Sequence, residues 1–385
     1  MKCKRFLAGI LIIGVLIFSF SGCNQESETV DLNNIQLTEA QIEDVSNNIN
    51  DDLTETKFSG TVYAGLNNQD IFLNSYGYTD RKKTKKLDDD YVYQIGSVSK
   101  IFTGLAVMKL NNEGKLNLTD TLDKYFPEYD NKEYKKIKIE NLLDMTSGFD
   151  SYNTHRPNRS AFLKKIVKMV HKNPDNPQIS NEILNFILSK GTVKPVGNYC
   201  YSNSGYYLLG NIIEQAANES YFDYVEKNII KPLGLKETSF LTNKSTKRGY
   251  NEKLKKWIDQ EDYSILNNPY VMYSSMGIQS STEDLAKLCD GILCNKIVEN
   301  TDCIGKIKKT SSKYNYGFYI NGNTIYSNGA TSLHSGFVYI NTEYLEKIVL
   351  LSNHTGIKDF DETTKNVYNK LNSKINGIII NQIEN

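Results

Sequence analysis

Apolar positions along this chain switch between two periods, and the switches outline its elements. Ile42, Val45, Ile49 and Leu53 recur every three to four residues behind Thr38-Glu39-Ala40-Gln41, which has the form of a capping box. This predicts one amphipathic helix whose work is packing. The period then drops to two: 58–63 and 69–73 read as strands around an Asn67-Asn68 turn. A short β-type run, Tyr91-Val92-Tyr93, leads to Gln94-Ile95-Gly96-Ser97-Val98-Ser99-Lys100, and an apolar helical pattern follows from Ile101. Residues 151–180 are polar and basic and read as loop. The stretch 181–290 reads as mainly helical, with helices opening after Tyr201-Ser202-Asn203, over 223–230 and at Thr282. Strands return at 316–320, 324–326, 337–340 and 347–351, before a last helix carrying Val367, Leu371 and Ile375. Strands at both ends around a helical middle predict an α/β or α+β domain built from N- and C-terminal segments with a helical insertion.

Composition adds bounds. The chain has 385 residues, 39% of them hydrophobic, enough for a sizeable core. Lysines and arginines equal the acids at 45 each, and no basic block of the kind that tracks a phosphate backbone stands out. Nucleic-acid binding is therefore not expected. Four histidines, and cysteines (Cys200, Cys289, Cys294, Cys303) at no common zinc spacing, give no expectation of a metal. Whether those cysteines pair is open.

The first 22 residues read as a signal peptide. Lys2, Lys4 and Arg5 precede an apolar run from Phe6 to Phe20, too short for a comfortable membrane span. Phe20-Ser21-Gly22-Cys23 has the form of a bacterial lipobox, with Cys23 as the lipidated residue, although Phe stands where Leu is preferred. An uncut anchor or a soluble secreted form are the alternatives. Residues 23–55 then form a polar tether and the amphipathic helix, and the body lies outside the cytoplasm.

Three pieces carry candidate chemistry. Ser97 falls at a helix start with Lys100 one turn on, so an amine can reach the hydroxyl. The positive end of the helix favours a lowered lysine pKa. Among the serines, Ser97 alone has Lys three residues on. Tyr201 and Asn203 present a phenol and an amide before a helix. A second Tyr-Ser-Asn at 326–328 shows how cheap that triplet is, and it reads as strand sequence. His334-Ser335-Gly336 is the third piece, its glycine allowing close approach.

In this order the pieces resemble the active-site signature of the penicillin-recognising serine hydrolases, nearest to class C β-lactamases, D-Ala-D-Ala carboxypeptidases and related esterases. Further landmarks agree: Gly60-Thr61-Val62, Gly114 to Leu118, Leu142 to Gly148, Tyr201 to Tyr206, Pro232 to Leu235, Gly277 to Leu285 and Leu350 to Asn353. The likeness covers about 56–375, with the helical part at about 115–290. It implies the β-lactamase–transpeptidase-like fold, an antiparallel sheet flanked by helices.

The resemblance also implies a mechanism. Ser97 forms an acyl-enzyme, with no metal or organic cofactor required. Lys100 and Tyr201 share the general-base work, Tyr201 as a phenolate. Asn203 positions Lys100 and the substrate amide. His334, Ser335 and Gly336 bind substrate, and the N–H groups of Ser97 and Phe337 form an oxyanion hole. Two departures stand out. His334 replaces the usual lysine, which argues against penicillin and free D-Ala carboxylates. Met145 replaces a common histidine, read as a packing change. The expected substrates are small molecules or cell-wall polymers (peptidoglycan or teichoic acid) bearing D-amino acyl peptide or ester bonds. The protein is read as a monomer held to the membrane by its lipid. A penicillin-binding sensor or cell-wall binding module with little turnover, and a true β-lactamase, are the rival readings.

Overall fold

A computed structural model describes residues 35–384 except 57, 154–159, 243–247, 252–253, 260–267, 299 and 356–359. The signal peptide, Cys23 and His155 lie outside the described residues.

The chain opens with α1 (Glu39–Thr54), whose Thr38 and Gln41 form the expected capping box and whose Val45, Ile49 and Leu53 are buried. Next come β1 (Gly60–Leu66), β2 (Gln69–Tyr76) and the short β3 (Tyr93–Gln94). A 3₁₀ turn, Gly96–Ser99, runs into α2 (Lys100–Asn112). The helical middle holds α3 (Leu122–Tyr125), α4 (Ile139–Leu143), α5 (Ser160–Lys172), α6 (Gln178–Lys190), α7 (Asn203–Ala217) and α8 (Tyr221–Val225). After it come β4 (Ser239–Phe240), β5 (Arg248–Asn251), β6 (Lys256–Asp259), α9 (Pro269–Met276), β7 (Ile278–Ser280), α10 (Thr282–Leu293) and α11 (Cys303–Lys308). The chain closes with β8 (Tyr314–Asn315), β9 (Phe318–Asn321), β10 (Thr324–Ala330), β11 (Ser335–Asn341), β12 (Glu346–Ser352), β13 (His354–Thr355) and α12 (Phe360–Glu384).

Seven strands form one antiparallel sheet in the order β2-β1-β12-β11-β10-β9-β8. N- and C-terminal segments thus share one sheet, as expected. Alternation along the strands gives each face its own core. On one face, Val62, Ala64, Tyr339, Ile348 and Leu350 meet α1 and the buried Val367, Leu371, Ile375 and Ile379 of α12. On the other, Val338, Ile340, Val349 and Leu351 join α2 and the helical middle in a larger core. Each such aliphatic side chain contributes roughly 1.5–3 kcal/mol when fully buried.

The region read as loop holds the helix α5 and the first turn of α6, whose remainder falls in the stretch read as helical. Ile166 and Val170 of α5 are buried and Phe162 packs beside them, a 3.6 period obscured by the lysines between. Cys200, Cys289, Cys294 and Cys303 are free thiols.

Candidate active site

The turn that carries Ser97 is bent by Gly96, whose φ of 53° is a left-handed conformation other residues rarely adopt. A Cβ there would stand 2.7 Å from the Ala330 nitrogen and 2.9 Å from its oxygen, so the turn lies directly against the end of β10. From the other side, Ser99 Oγ accepts the Ile278 N–H of β7 at 3.1 Å.

Ser97 Oγ is half-buried and lies 2.9 Å from both Lys100 Nζ and Tyr201 Oη. Lys100 is fully buried, and its Nζ also donates to the Ser275 carbonyl at 2.8 Å. The amine sits 5.2 Å from the Tyr201 ring centre and 5.7 Å from that of Tyr206. Burial alone pushes its pKa well below the usual lysine value. The expected lowering is present, but its cause is desolvation. A neutral amine has a lone pair free for the Ser97 proton.

Tyr201 differs from its expectation. Burial pushes its phenol above the ordinary value, outweighing the opposing pull of the Ser97 bond. Burial thus favours the neutral phenol, whose hydroxyl donates to Ser97 Oγ at 2.9 Å, over the phenolate. The following helix positions it. Ser202 is the N-cap of α7, its Oγ accepting the Gly205 N–H at 3.0 Å. The Ser202 N–H donates to Met145 Sδ at 3.2 Å, and the Cys200 N–H to the Met145 carbonyl at 2.7 Å. Met145, at φ 64°, thus clamps the loop that delivers Tyr201.

Asn203 donates from Nδ2 to Asn153 Oδ1 at 3.0 Å and from its N–H to Ser151 Oγ at 2.8 Å. Its Oδ1 is buried without a hydrogen-bond partner. Lys100 takes its second acceptor from Ser275 rather than from Asn203. Ser275 follows Tyr273, held at φ 41° and ψ −140° in a kink of α9, a conformation that costs about 1–3 kcal/mol. Nothing in the local sequence marks that carbonyl as part of the site, beyond its place just before the Gly277 landmark.

The third piece lies elsewhere than the sequence reading expected. His334 is fully buried in the β10–β11 connection; its Nδ1 accepts the Gln94 N–H at 2.8 Å, and its ring meets Tyr93 edge-on at 5.5 Å. It braces the strand leading into the Ser97 turn. Ser335 is also buried and donates to the His354 carbonyl at 3.2 Å.

Phe337 sits inside the ladder between Asn328 and Leu350. The Thr331 N–H donates to the His334 carbonyl at 2.8 Å, which fixes the phase of this hairpin. Antiparallel alternation then turns the Phe337 N–H away from β10, toward β12. The same alternation turns the Ala330 N–H outward, to the side of β10 where β9 has already ended and Gly96 packs. A Cβ on Gly329 would stand 2.1 Å from the Ile95 oxygen and 2.7 Å from the Ser97 nitrogen, whereas one on Gly336 comes no nearer than 3.9 Å to Ile95. The strand against the nucleophile is thus the one carrying the second Tyr-Ser-Asn. Its residues there, Ser327 to Ala330, bear no charge.

A serine bonded to a buried lysine and a tyrosine, between an antiparallel sheet and a helical lobe, defines a serine hydrolase of the β-lactamase and penicillin-binding-protein type. The family model described as Beta-lactamase matches residues 45–370, and the chain belongs to that family. Protein flp of Staphylococcus aureus (strain MW2) is 28% identical over 339 residues, 83% of this chain but 64% of flp, so the chain spans less than two thirds of that relative. Among solved structures, FmtA from Staphylococcus aureus superposes with a TM-score of 0.70 at 22% identity, covering 86% of this chain and 90% of FmtA. D-amino acid amidase from Ochrobactrum anthropi SV3 gives 0.71 at 19%, covering 87% and 99%. At those identities the likeness is one of fold.

Proposed function

We propose that the protein is an extracytoplasmic, lipid-anchored serine hydrolase that forms an acyl-enzyme at Ser97 and cleaves D-amino acyl amide or ester bonds of cell-wall material. The observation that carries the chemistry is Ser97 Oγ at 2.9 Å from both a buried lysine nitrogen and a phenol. Lys100 takes the Ser97 proton as Oγ bonds to the substrate carbonyl carbon. The resulting oxyanion accepts from the N–H groups of Ser97 and Ala330. The unpartnered Asn203 Oδ1 accepts a substrate amide N–H. The leaving nitrogen or oxygen takes the Tyr201 proton, which the Lys100 ammonium replaces. Water, deprotonated by Lys100, then releases the acid and restores Ser97.

The amide or ester class is supported by the uncharged β10 edge, which offers no fixed cation to a substrate carboxylate, and by the shared fold of a D-amino acid amidase. The leader and its Cys23 support the location; a Cys23→Ser protein that stays in the detergent phase on Triton X-114 partition would contradict lipidation there. Incubation with a chromogenic ester, a D-amino acid amide and a fluorescent penicillin tests the reaction. Turnover of ester or amide that disappears in Ser97→Ala is the expected result. Stable penicillin labelling without any turnover would replace the enzyme with a sensor. Rapid β-lactam hydrolysis would refute the argument from the uncharged strand.

A further inference from the structure

Beyond the nucleophile, three aromatic rings pack as one triangular cluster, with the Trp257 and His354 ring centres themselves 6.2 Å apart. β13 pairs with β5 through His354 and Tyr250, and β5 pairs with β6 through Tyr250 and Trp257. Directly paired residues share a face of a sheet. The ring centres are accordingly 5.3 Å apart for Tyr250 and His354 and 6.1 Å for Tyr250 and Trp257. The cluster lines a cavity of about 320 Å³, to which Phe58 and Tyr78 also contribute.

The rim is basic. Positions 81–86 hold Arg81, Lys82, Lys83, Lys85 and Lys86, a local basic cluster in an otherwise balanced chain. Arg81 and Lys83 line the cavity, and Lys83 Nζ lies 5.7 Å over the Tyr78 ring. The turn is preset: Tyr78 bridges to Lys86, and the Asp80 carboxylate accepts the Thr84 hydroxyl at 2.7 Å and the Lys85 N–H at 3.1 Å. Those bonds aim the rim carboxylate into its own turn. Lys85 Nζ lies 3.7 Å from the Asp88 carboxylate, so Arg81 and Lys83 are the cations at the cavity.

Trp and Tyr faces suit the C–H faces of a sugar ring, and an arginine fork with a lysine suits phosphate or carboxylate. We infer that this cavity is a binding site for an anionic saccharide unit, separate from the reacting centre. It opens at the same end of the sheet as Ser97. Gly60, Ser352, Ser335 and Ala330 are successive cross-strand partners, so Gly60, next to the cavity's Ser59, and Ala330, against the Ser97 turn, are about 14 Å apart by strand spacing. The inference does not depend on hydrolysis at Ser97.

Trp257 is the sole tryptophan, so its fluorescence reads the cavity directly. The full chain, both wild type and Ser97→Ala, is titrated with N-acetylmuramic acid, glucosamine 6-phosphate, N-acetylglucosamine and inorganic phosphate. A saturable change with an anionic sugar is expected, about tenfold weaker for N-acetylglucosamine and for Arg81→Ser/Lys83→Ser, and weakened by salt. Response to the carboxylate sugar alone, or to the phosphate sugar alone, supports the site and names its anion. Equal response to neutral and charged sugars, response to inorganic phosphate only, or none overturns it. Circular dichroism of the double variant separates lost binding from lost fold. Failure here with intact turnover removes this site and leaves the hydrolase reading standing.

Discussion

The tripeptide Tyr-Ser-Asn occurs twice, and both copies approach Ser97 by different means. Tyr201-Ser202-Asn203 opens a helix. The serine is spent on the cap, which sends the tyrosine to the nucleophile and leaves an amide oxygen unpartnered. Tyr326-Ser327-Asn328 lies in a strand. There alternation sends Tyr326 into a ring stack with Tyr319 at 5.2 Å, buries Ser327 and exposes Asn328. What that copy offers is backbone: the close approach of Gly329 and the outward N–H of Ala330. The same three letters supply side-chain chemistry at a helix start and main-chain chemistry at a sheet edge.

The contrast can be broken experimentally. Both arms serve a hydroxyl that Lys100 must activate, so Lys100→Met should cost most, about 10⁴-fold in kcat. Burial holds this lysine below its ordinary value, and the neutral form is the active one. Activity should therefore rise as pH climbs through that lowered value and then level. Burial holds the Tyr201 phenol up, so it imposes no alkaline decline below its ordinary pKa of about 10. A steep fall between pH 8 and 10 would return the phenolate to consideration.

Tyr201→Phe should cost about 10³-fold in kcat, whereas Tyr326→Phe should stay within about twofold. Equal losses would erase the distinction between the copies. Gly329→Val places side-chain atoms where the Ile95 oxygen and Ser97 nitrogen already stand, and should cost about 10²-fold with the sheet intact by circular dichroism. The smallest effect belongs to the cap: Ser202→Ala should lower stability by about 1 kcal/mol in denaturant melts, with Ser327→Ala as its strand counterpart for activity. A cap variant with unchanged stability and lost turnover would move Ser202 into the chemistry.

Much of the fold was legible because its signals are local. The capping box before α1, the strands around Asn67 and Asn68, and the helix after Tyr201 were each written in neighbouring residues. Helix α5 is hidden in the sequence because lysines interrupt its apolar period. Asn203 was expected beside Lys100, but the acceptor there is a main-chain carbonyl, which no side-chain pattern announces. His334-Ser335-Gly336 drew attention as a motif, yet its histidine is consumed in bracing Gln94.

By itself the sequence singled out Ser97, Lys100 and Tyr201, which the fold brings together. Ser97 and Lys100 are three residues apart on one helical turn, where short-range geometry suffices, and Ser202 caps the helix that opens after Tyr201; the order of the motifs, through the family resemblance, paired that tyrosine with Ser97. Tertiary structure decided which strand faces the nucleophile, which N–H groups point at it, and the protonation of its partners. Those depend on hairpin register, where a shift of one residue reverses every group, and on burial, which no neighbouring residue in the chain encodes.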